Sequence, residues 1–251
     1  MLSKNQLYRQ KLRALTSESE WDAYLLAESG LPGPRGNLEL AQVVADEGSP
    51  DLFRRYLTWT ADSAPTNDPH EFLAFCGMVG LGRLLAEGER WPWPLLRQAA
   101  NDPRWRAREG VAMGLQRLGD VNMPALVAAM EEWSQGSLLE QRAAAAALCE
   151  PRLLSSPEIV REVLTVLDRI TQSMLAQSDR KDEGFKTLRK GMAYCWSVAA
   201  AALPVEGKAA MENWFNVLDP DIRWFMRENL KKDRLRRIDP AWVAHWQSTL
   251  G

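Results

Sequence analysis

The sequence predicts an all-α fold of stacked helix pairs, and three observations carry that expectation. Six times a helix-capping residue is followed at once by proline: Ser49-Pro50, Asp68-Pro69, Asp102-Pro103, Ser156-Pro157, Asp219-Pro220 and Asp239-Pro240. A serine or aspartate oxygen accepts the orphan N–H groups of a helix's first turn. Proline suits the next position, because its missing N–H has no partner there anyway. Each pair therefore marks a helix start. Strand signals, in contrast, are almost absent: alternating runs of Val, Ile, Thr and aromatics do not occur, while Ala, Leu, Arg, Glu and Met dominate. The chain also resembles itself. Gly80-Leu81-Gly82-Arg83-Leu84 follows Asp68-Pro69 at the distance at which Gly114-Leu115-Gln116-Arg117-Leu118 follows Asp102-Pro103, an offset of 34 residues.

Along the chain, the first clear start is the capping box Ser17-Glu18-Ser19-Glu20. It opens a helix that carries Trp21, Tyr24 and Leu25 and stops at Gly30, with Pro32 beyond. Leu31 to Asn37 reads as a Pro/Gly loop. Periodicity and caps then predict helices over 38–47, 51–62, 69–87, 94–100, 103–118, 122–134, 138–149, 157–177, 185–202, 206–216, 220–232 and 240–248. Ser178 to Gly184 is a charged break, a loop or a subdomain seam. One domain is expected over 1–251: residues 1–37 as an N-terminal cap, repeats over 38–237, and a closing helix in 238–251.

A second echo pairs Arg104-Trp105-Arg106-Ala107-Arg108-Glu109 with Arg223-Trp224-Phe225-Met226-Arg227-Glu228, 119 residues later. That is near three units of ~40 residues, the length of a two-helix repeat. Arg108, Arg142, Arg189 and Arg227 step through the interval by 34, 47 and 38 residues. Such a period predicts an α-solenoid, a right-handed α-α superhelix in which each antiparallel pair buries its apolar face against its neighbours.

The stretch from Asp102 to Leu115 resembles a HEAT repeat, with proline at its start, an aromatic, an arginine one turn on, then small residues and leucine. The unit at 219–230 is similar, and those at 68–84 and 138–149 are degenerate, so the likeness spans residues 40 to 237. Among HEAT (armadillo-like) proteins the chain is similar to the bacterial DNA alkylation-repair glycosylases and their non-catalytic relatives, whose repeats carry a like aromatic followed by arginines. The resemblance implies a concave face that binds a macromolecule. In the catalytic members, a Trp/Asp-rich helix one repeat before the arginine-bearing helix supplies an aspartate. The matching stretch here, His70-Glu71-Phe72-Leu73-Ala74-Phe75-Cys76, has neither tryptophan nor aspartate. Its one acid, Glu71, stands in a first helical turn, where the helix dipole favours a carboxylate. Base-excision activity is therefore not expected, and Glu109 and Glu71 are the remaining candidates for a catalytic acid.

Composition bounds the rest. Hydrophobic residues make up 46% and charged residues 25%, as in an ordinary folded chain. The net charge of −2 argues against a protein that coats nucleic acid uniformly, while leaving room for a local basic face. No apolar run approaches the ~18 residues of a membrane span, and Met1 to Gln6 lacks the apolar core of a signal peptide. Cys76, Cys149 and Cys195 stand singly in apolar helical stretches, which predicts buried reduced thiols in a cytoplasmic protein. The 11 tryptophans are expected to lock helix pairs together or to line a groove.

Chemical motifs are few. His70 and His245 are far apart and have no metal-ligand companion, so no metal or cofactor is expected. Gly77, Gly80 and Gly82 fall inside a helix, which suits close packing better than a phosphate loop. Neither a nucleophile elbow nor a Cys/His pair occurs. Trp105 with Glu109, and Trp224 with Glu228, share a helix face at i, i+4. Such a pair grips a cation or a flipped base, or is a packing tryptophan beside a solvated glutamate. From Ile222 to Arg237 the chain has seven positive and two negative charges. Arg223, Arg227 and Lys231 share one helix face, as do Arg104 and Arg108. With Arg142, Arg189 and Lys232 they would line a concave groove with positive charge, fit for phosphates or an acidic peptide. The alternative is that they pair with acids such as Glu109, Glu140 and Glu228, or offset helix dipoles. The function expected is a monomeric, non-enzymatic module that offers this face to a protein partner. The alternative is a DNA-backbone-binding relative of the glycosylases. No membrane contact is expected.

Overall fold

The computed structural model describes residues 2–250. The chain is 74% helical, with 15 α-helices and no strand among the described residues, and it divides at Val121/Asn122 into two compact units. No helix among the described residues is long and apolar enough to cross a membrane.

The first unit holds α1 (Lys4–Ala14), α2 (Glu18–Glu28), α3 (Leu38–Glu47), α4 (Pro50–Tyr56), α5 (Glu71–Ala86), α6 (Pro92–Ala99) and α7 (Trp105–Val121). Helix α5 is its axis: every residue except Arg83 and Ala86 is buried, and α3, α4 and α7 pack against it. The glycines make the closest crossing possible. A Cβ on Gly82 would stand 2.0 Å from the carbonyl oxygen of Gly114, and one on Gly114 would stand 2.6 Å from that of Met78. Backbone therefore meets backbone between α5 and α7, the close packing that the helical glycines predicted.

The second unit holds α8 (Met123–Trp133), α9 (Leu138–Leu148), α10 (Pro157–Ala176), α11 (Glu183–Ala202), α12 (Pro204–Phe215), α13 (Pro220–Leu230), α14 (Asp233–Ile238) and α15 (Pro240–Leu250), with a 3-10 turn at Pro151–Leu153. Helix α11 packs on α9, α10, α12 and α13. Tryptophans tie these helices by their one donor. The indole N–H of Trp196 donates to Thr171 Oγ1 (3.1 Å), that of Trp214 to Asp168 Oδ1 (2.9 Å), and that of Trp242 to Glu212 Oε1 (2.6 Å). All three cysteines are buried. Burial holds the thiols of Cys76 and Cys149 protonated, and Cys149 lies against Cys195.

Four of the six cap-proline pairs open helices at the proline itself: α4, α10, α13 and α15. Asp68-Pro69 and Asp102-Pro103 instead form a turn, and α5 and α7 begin two residues later than the pattern predicts. The same contacts occur at both places, 34 residues apart. Asp68 Oδ1 accepts the backbone N–H of His70 and lies 2.8 Å from its ring Nδ1. Asp102 accepts the backbone N–H of Arg104 (2.8 Å) and holds its guanidinium with both oxygens, at 3.0 and 2.7 Å. Each carboxylate is held by both the backbone N–H and the side chain of the residue two positions on, whereas Asp219, which accepts the N–H groups of Asp221 and Ile222, opens α13 at its proline. Two helices have no counterpart in the predicted set. Helix α1 carries its own capping box, Ser3 with Gln6, and α14 is a single short basic segment.

Candidate functional site

The cleft with most chemical character lies in the first unit, between α5, α7 and the loop 31–37. That loop is pinned from behind. Gly33 N–H donates to Asn67 Oδ1 (3.0 Å), and Arg106 Nη2 donates to the Gly33 carbonyl. Arg106 Nη1 donates to Glu71 Oε2 (3.2 Å), which also accepts the Asn67 N–H (2.8 Å). Asn67 has φ 77°, in the left-handed region that asparagine tolerates better than most residues. Glu71 is fully buried and Arg106 nearly so, so the pair is an internal staple joining α5, α7 and two loops. The Glu71 carboxylate makes no cap to the N–H groups of α5; it is spent on the Asn67 N–H ahead of the helix and on Arg106 of α7.

In front of this staple the cleft encloses about 330 Å³. Its apolar walls are Leu38, Phe72, Phe75 and Trp105, and its polar groups are Arg35, Arg106 and Glu109. The rings of Phe72 and Phe75 stack at 6.3 Å and 11°. Trp105 is 47% exposed, and the Arg106 guanidinium lies 4.3 Å from the centroid of its ring. The structure thus brings Trp105 and Glu109 together in an open cleft, whereas Glu71 is sealed away behind it.

The other predicted site residues of the first unit face inward. Arg104 is 3% exposed; besides Asp102 it donates to the carbonyls of Ala64 (2.9 Å) and Thr60 (3.3 Å). Arg108 donates to the carbonyls of Asp102 (2.6 Å) and Pro103 (2.8 Å), tying down the turn ahead of its own helix.

In the second unit, Trp224, Arg227, Glu228, Lys231 and Gln247 line a cleft of about 480 Å³. The Arg189 guanidinium lies 3.9 Å from the Trp224 ring centroid, with Nε 2.9 Å from Asp221 Oδ1. Lys231 pairs with Glu228. Arg223 and Arg227 donate to the Leu250 carbonyl at 3.3 and 3.5 Å. Arg142 lies against Gly191 of α11, its Cγ 3.5 Å from where a Cβ would stand. Lys232 Nζ is 5.9 Å from the ring centroid of Tyr194, and the Arg234 guanidinium is 4.5 Å from it. The echoed motif thus lines a cleft in each unit with a tryptophan and the glutamate one turn on.

No three of His, Cys, Asp and Glu among the described residues cluster as a metal ion requires. No family model matches the chain, and no curated protein matches it.

Sequence reasoning passed over Arg35, Arg106, Phe72, Phe75 and Tyr194. Arg106 carried a signal, since it is the arginine of the echoed motif that becomes Phe225 in the second copy. Arg35 stands in a loop, where no periodicity marks a side chain as site-forming.

Proposed function

We propose that this chain is a non-enzymatic helical-repeat module that binds a protein partner, its helices paired antiparallel in a right-handed HEAT-like superhelix, monomeric and cytoplasmic. The observation that carries the reading is Trp105, half exposed over an apolar cleft walled by Phe72 and Phe75. Partially exposed tryptophan beside arginine is the side-chain chemistry that dominates protein-interface energies. The repeat arginines support the same emphasis. Arg104 and Arg108 in the first unit, and Arg189, Arg223 and Lys231 in the second, have partners within their own unit, so the partner is gripped by a tryptophan cleft more than by a positive stripe. The test is a pull-down followed by titration of the purified partner against wild type and Trp105→Ala. A loss of at least about tenfold, ~1.4 kcal/mol, is expected; equal affinity for the two proteins would overturn the reading.

A second reading, a DNA-backbone-binding relative of the alkylation-repair glycosylases, draws on the α14 face. Tyr194 is 42% exposed there, its hydroxyl accepts a hydrogen bond from Arg234 (2.6 Å), and Arg236 and Arg237 are exposed beside it in sequence. Anisotropy of a labelled duplex should weaken with salt by a log–log slope of about −0.9 per phosphate contact. It should also weaken on Arg234→Glu with Arg237→Glu. Absence of binding at low salt removes this reading.

A further inference from the structure

We propose that Tyr194, Lys232 and Arg234 form a docking site for a phosphorylated side chain of a partner protein. The inference rests on the protein-binding reading above and adds a contact within the second unit that makes no use of the Trp105 cleft.

The backbone brings two cations to one ring. Helix α13 ends at Leu230, Lys232 takes an extended conformation (φ −78°, ψ 128°), and α14 then packs on α11. Lys232 and Arg234 thereby converge on Tyr194, which is 42% exposed on α11. The Lys232 ammonium lies 5.9 Å from the ring centroid and the Arg234 guanidinium 4.5 Å from it. Arg234 Nη2 also donates to the phenol oxygen (2.6 Å). A ring face attracts such cations and holds them in place, but it cancels no charge. Neither cation has a carboxylate partner among the described residues. The acids next to them in sequence are spent elsewhere, Glu228 on Lys231 and Asp233 on Arg236. Two like charges held beside one ring repel each other, and an anion bound to both offsets that repulsion.

The donors at the ring are open. The other N–H groups of Arg234 and those of Lys232 make no hydrogen bond within the described residues, and none of their nitrogens is buried. The Tyr194 hydroxyl accepts from Arg234 and keeps its own hydrogen to donate. This set selects a phosphate monoester, which has about −1.5 to −2 charge at pH 7 and three acceptor oxygens. A carboxylate or a backbone phosphodiester brings a single charge to the two cations. Lys190, one turn before Tyr194 on α11, and Arg237 of α14 are exposed and likewise without an ion pair among the described residues. They strengthen the field that draws an anion in. The carboxylates of Glu228 and Asp233 would repel the successive phosphates of a nucleic acid strand, whereas a lone dianion on a protein segment meets the donors without that conflict. On so exposed a face, free phosphate gains only these bonds, and a phosphorylated segment adds contacts along its chain.

The probe is a rhodamine-labelled peptide, Gly-Ser-Gly-phosphoserine-Gly-Ser-Gly, titrated by anisotropy against the full chain. Its unphosphorylated form, a form with glutamate in place of phosphoserine, inorganic phosphate and a single-stranded oligonucleotide serve as competitors. The phosphopeptide is expected to bind at least about tenfold more tightly than each of them. Lys232→Gln and Arg234→Gln should each weaken it at least about fivefold. Arg161→Gln, which removes the same charge from α10, should leave it unchanged, and circular dichroism should show all three variants folded as the wild type. Equal binding of the glutamate peptide, an equal effect of Arg161→Gln, or no phosphopeptide binding overturns the proposal. Inorganic phosphate bound as tightly as the peptide would assign the site to a free anion, and a tighter oligonucleotide would assign it to nucleic acid; either result overturns it too. If no phosphopeptide binds while a captured partner still loses affinity on Trp105→Ala, this inference fails and the protein-binding reading stands. If the phosphopeptide binds while captured partners ignore Trp105→Ala, the reading built on Trp105 fails instead.

Discussion

Asp102 shows how far a single side chain departs from the role its position suggests. As a cap alone its removal would cost about 1 kcal/mol. Here it also clamps the guanidinium of Arg104, which is 3% exposed. Asp102→Ala leaves that buried cation without its counter-ion, so a loss of about 3–5 kcal/mol is expected in urea denaturation. A loss near 1 kcal/mol would show that the clamp contributes nothing. Trp105→Ala is expected to behave in the opposite way. A buried tryptophan costs about 3–5 kcal/mol on truncation, but this ring is 47% exposed, so a shift of roughly 1 kcal/mol or less is expected beside a large loss of partner binding. Local capping was legible because it needs only adjacent residues, as at Ser49, Ser156, Asp219 and Asp239. Arg106 was not, because its role depends on the Gly33 carbonyl 73 residues away, and no short window of sequence contains both.

Helix pairs show the same divide between near and far causes. The glycines of α5 announced a close crossing, and Gly82 meets Gly114 with no room for a methyl group. Gly82→Ala should force α5 and α7 apart and cost about 3 kcal/mol or more, beyond the helix-propensity gain of alanine. An unchanged denaturation midpoint would contradict that crossing. Asn229 of α13 gave no such signal. Its Nδ2 donates to the Met192 carbonyl and its Oδ1 accepts the Ser197 N–H, both at 2.8 Å, so its amide is inserted into the backbone ladder of α11. The same Nδ2 donates to the Phe225 carbonyl on its own helix. Asn229→Leu strands buried backbone groups of α11, with an expected cost of about 2–4 kcal/mol. It should also speed hydrogen exchange at the Ser197 amide. Unaltered exchange there would mean that α11 closes its ladder without help.

Across the whole molecule, ionisation ties both units to pH in the same direction. In the first unit, hydrogen bonds from Arg13 and Arg9 hold Glu47 below its ordinary 4.5, and the backbone N–H and ring of His70 hold Asp68 below its ordinary 3.8. In the second, Arg161 lowers Glu206, while Lys208 and the Trp242 N–H lower Asp239. Each of these carboxylates binds a proton less readily folded than unfolded. Their stabilisation is therefore complete above the ordinary values and fades as pH falls through the lowered ones. Tyr56 sets the opposite edge: burial, and its hydrogen bond to Asp22, keep the phenol protonated well above its ordinary 10.0. That contribution is present below the ordinary value and is lost as pH rises beyond it. Thermal midpoints should therefore form a plateau bounded by an acid limb below about pH 4.5 and an alkaline limb above about pH 10. Glu47→Gln should flatten part of the acid limb and Tyr56→Phe part of the alkaline one, because each removes a group that titrates differently in the two states. A midpoint that holds level to pH 3 would mean that these carboxylates keep no such contacts in solution, and with them would go the ion pairs that fasten α1 to the end of α3.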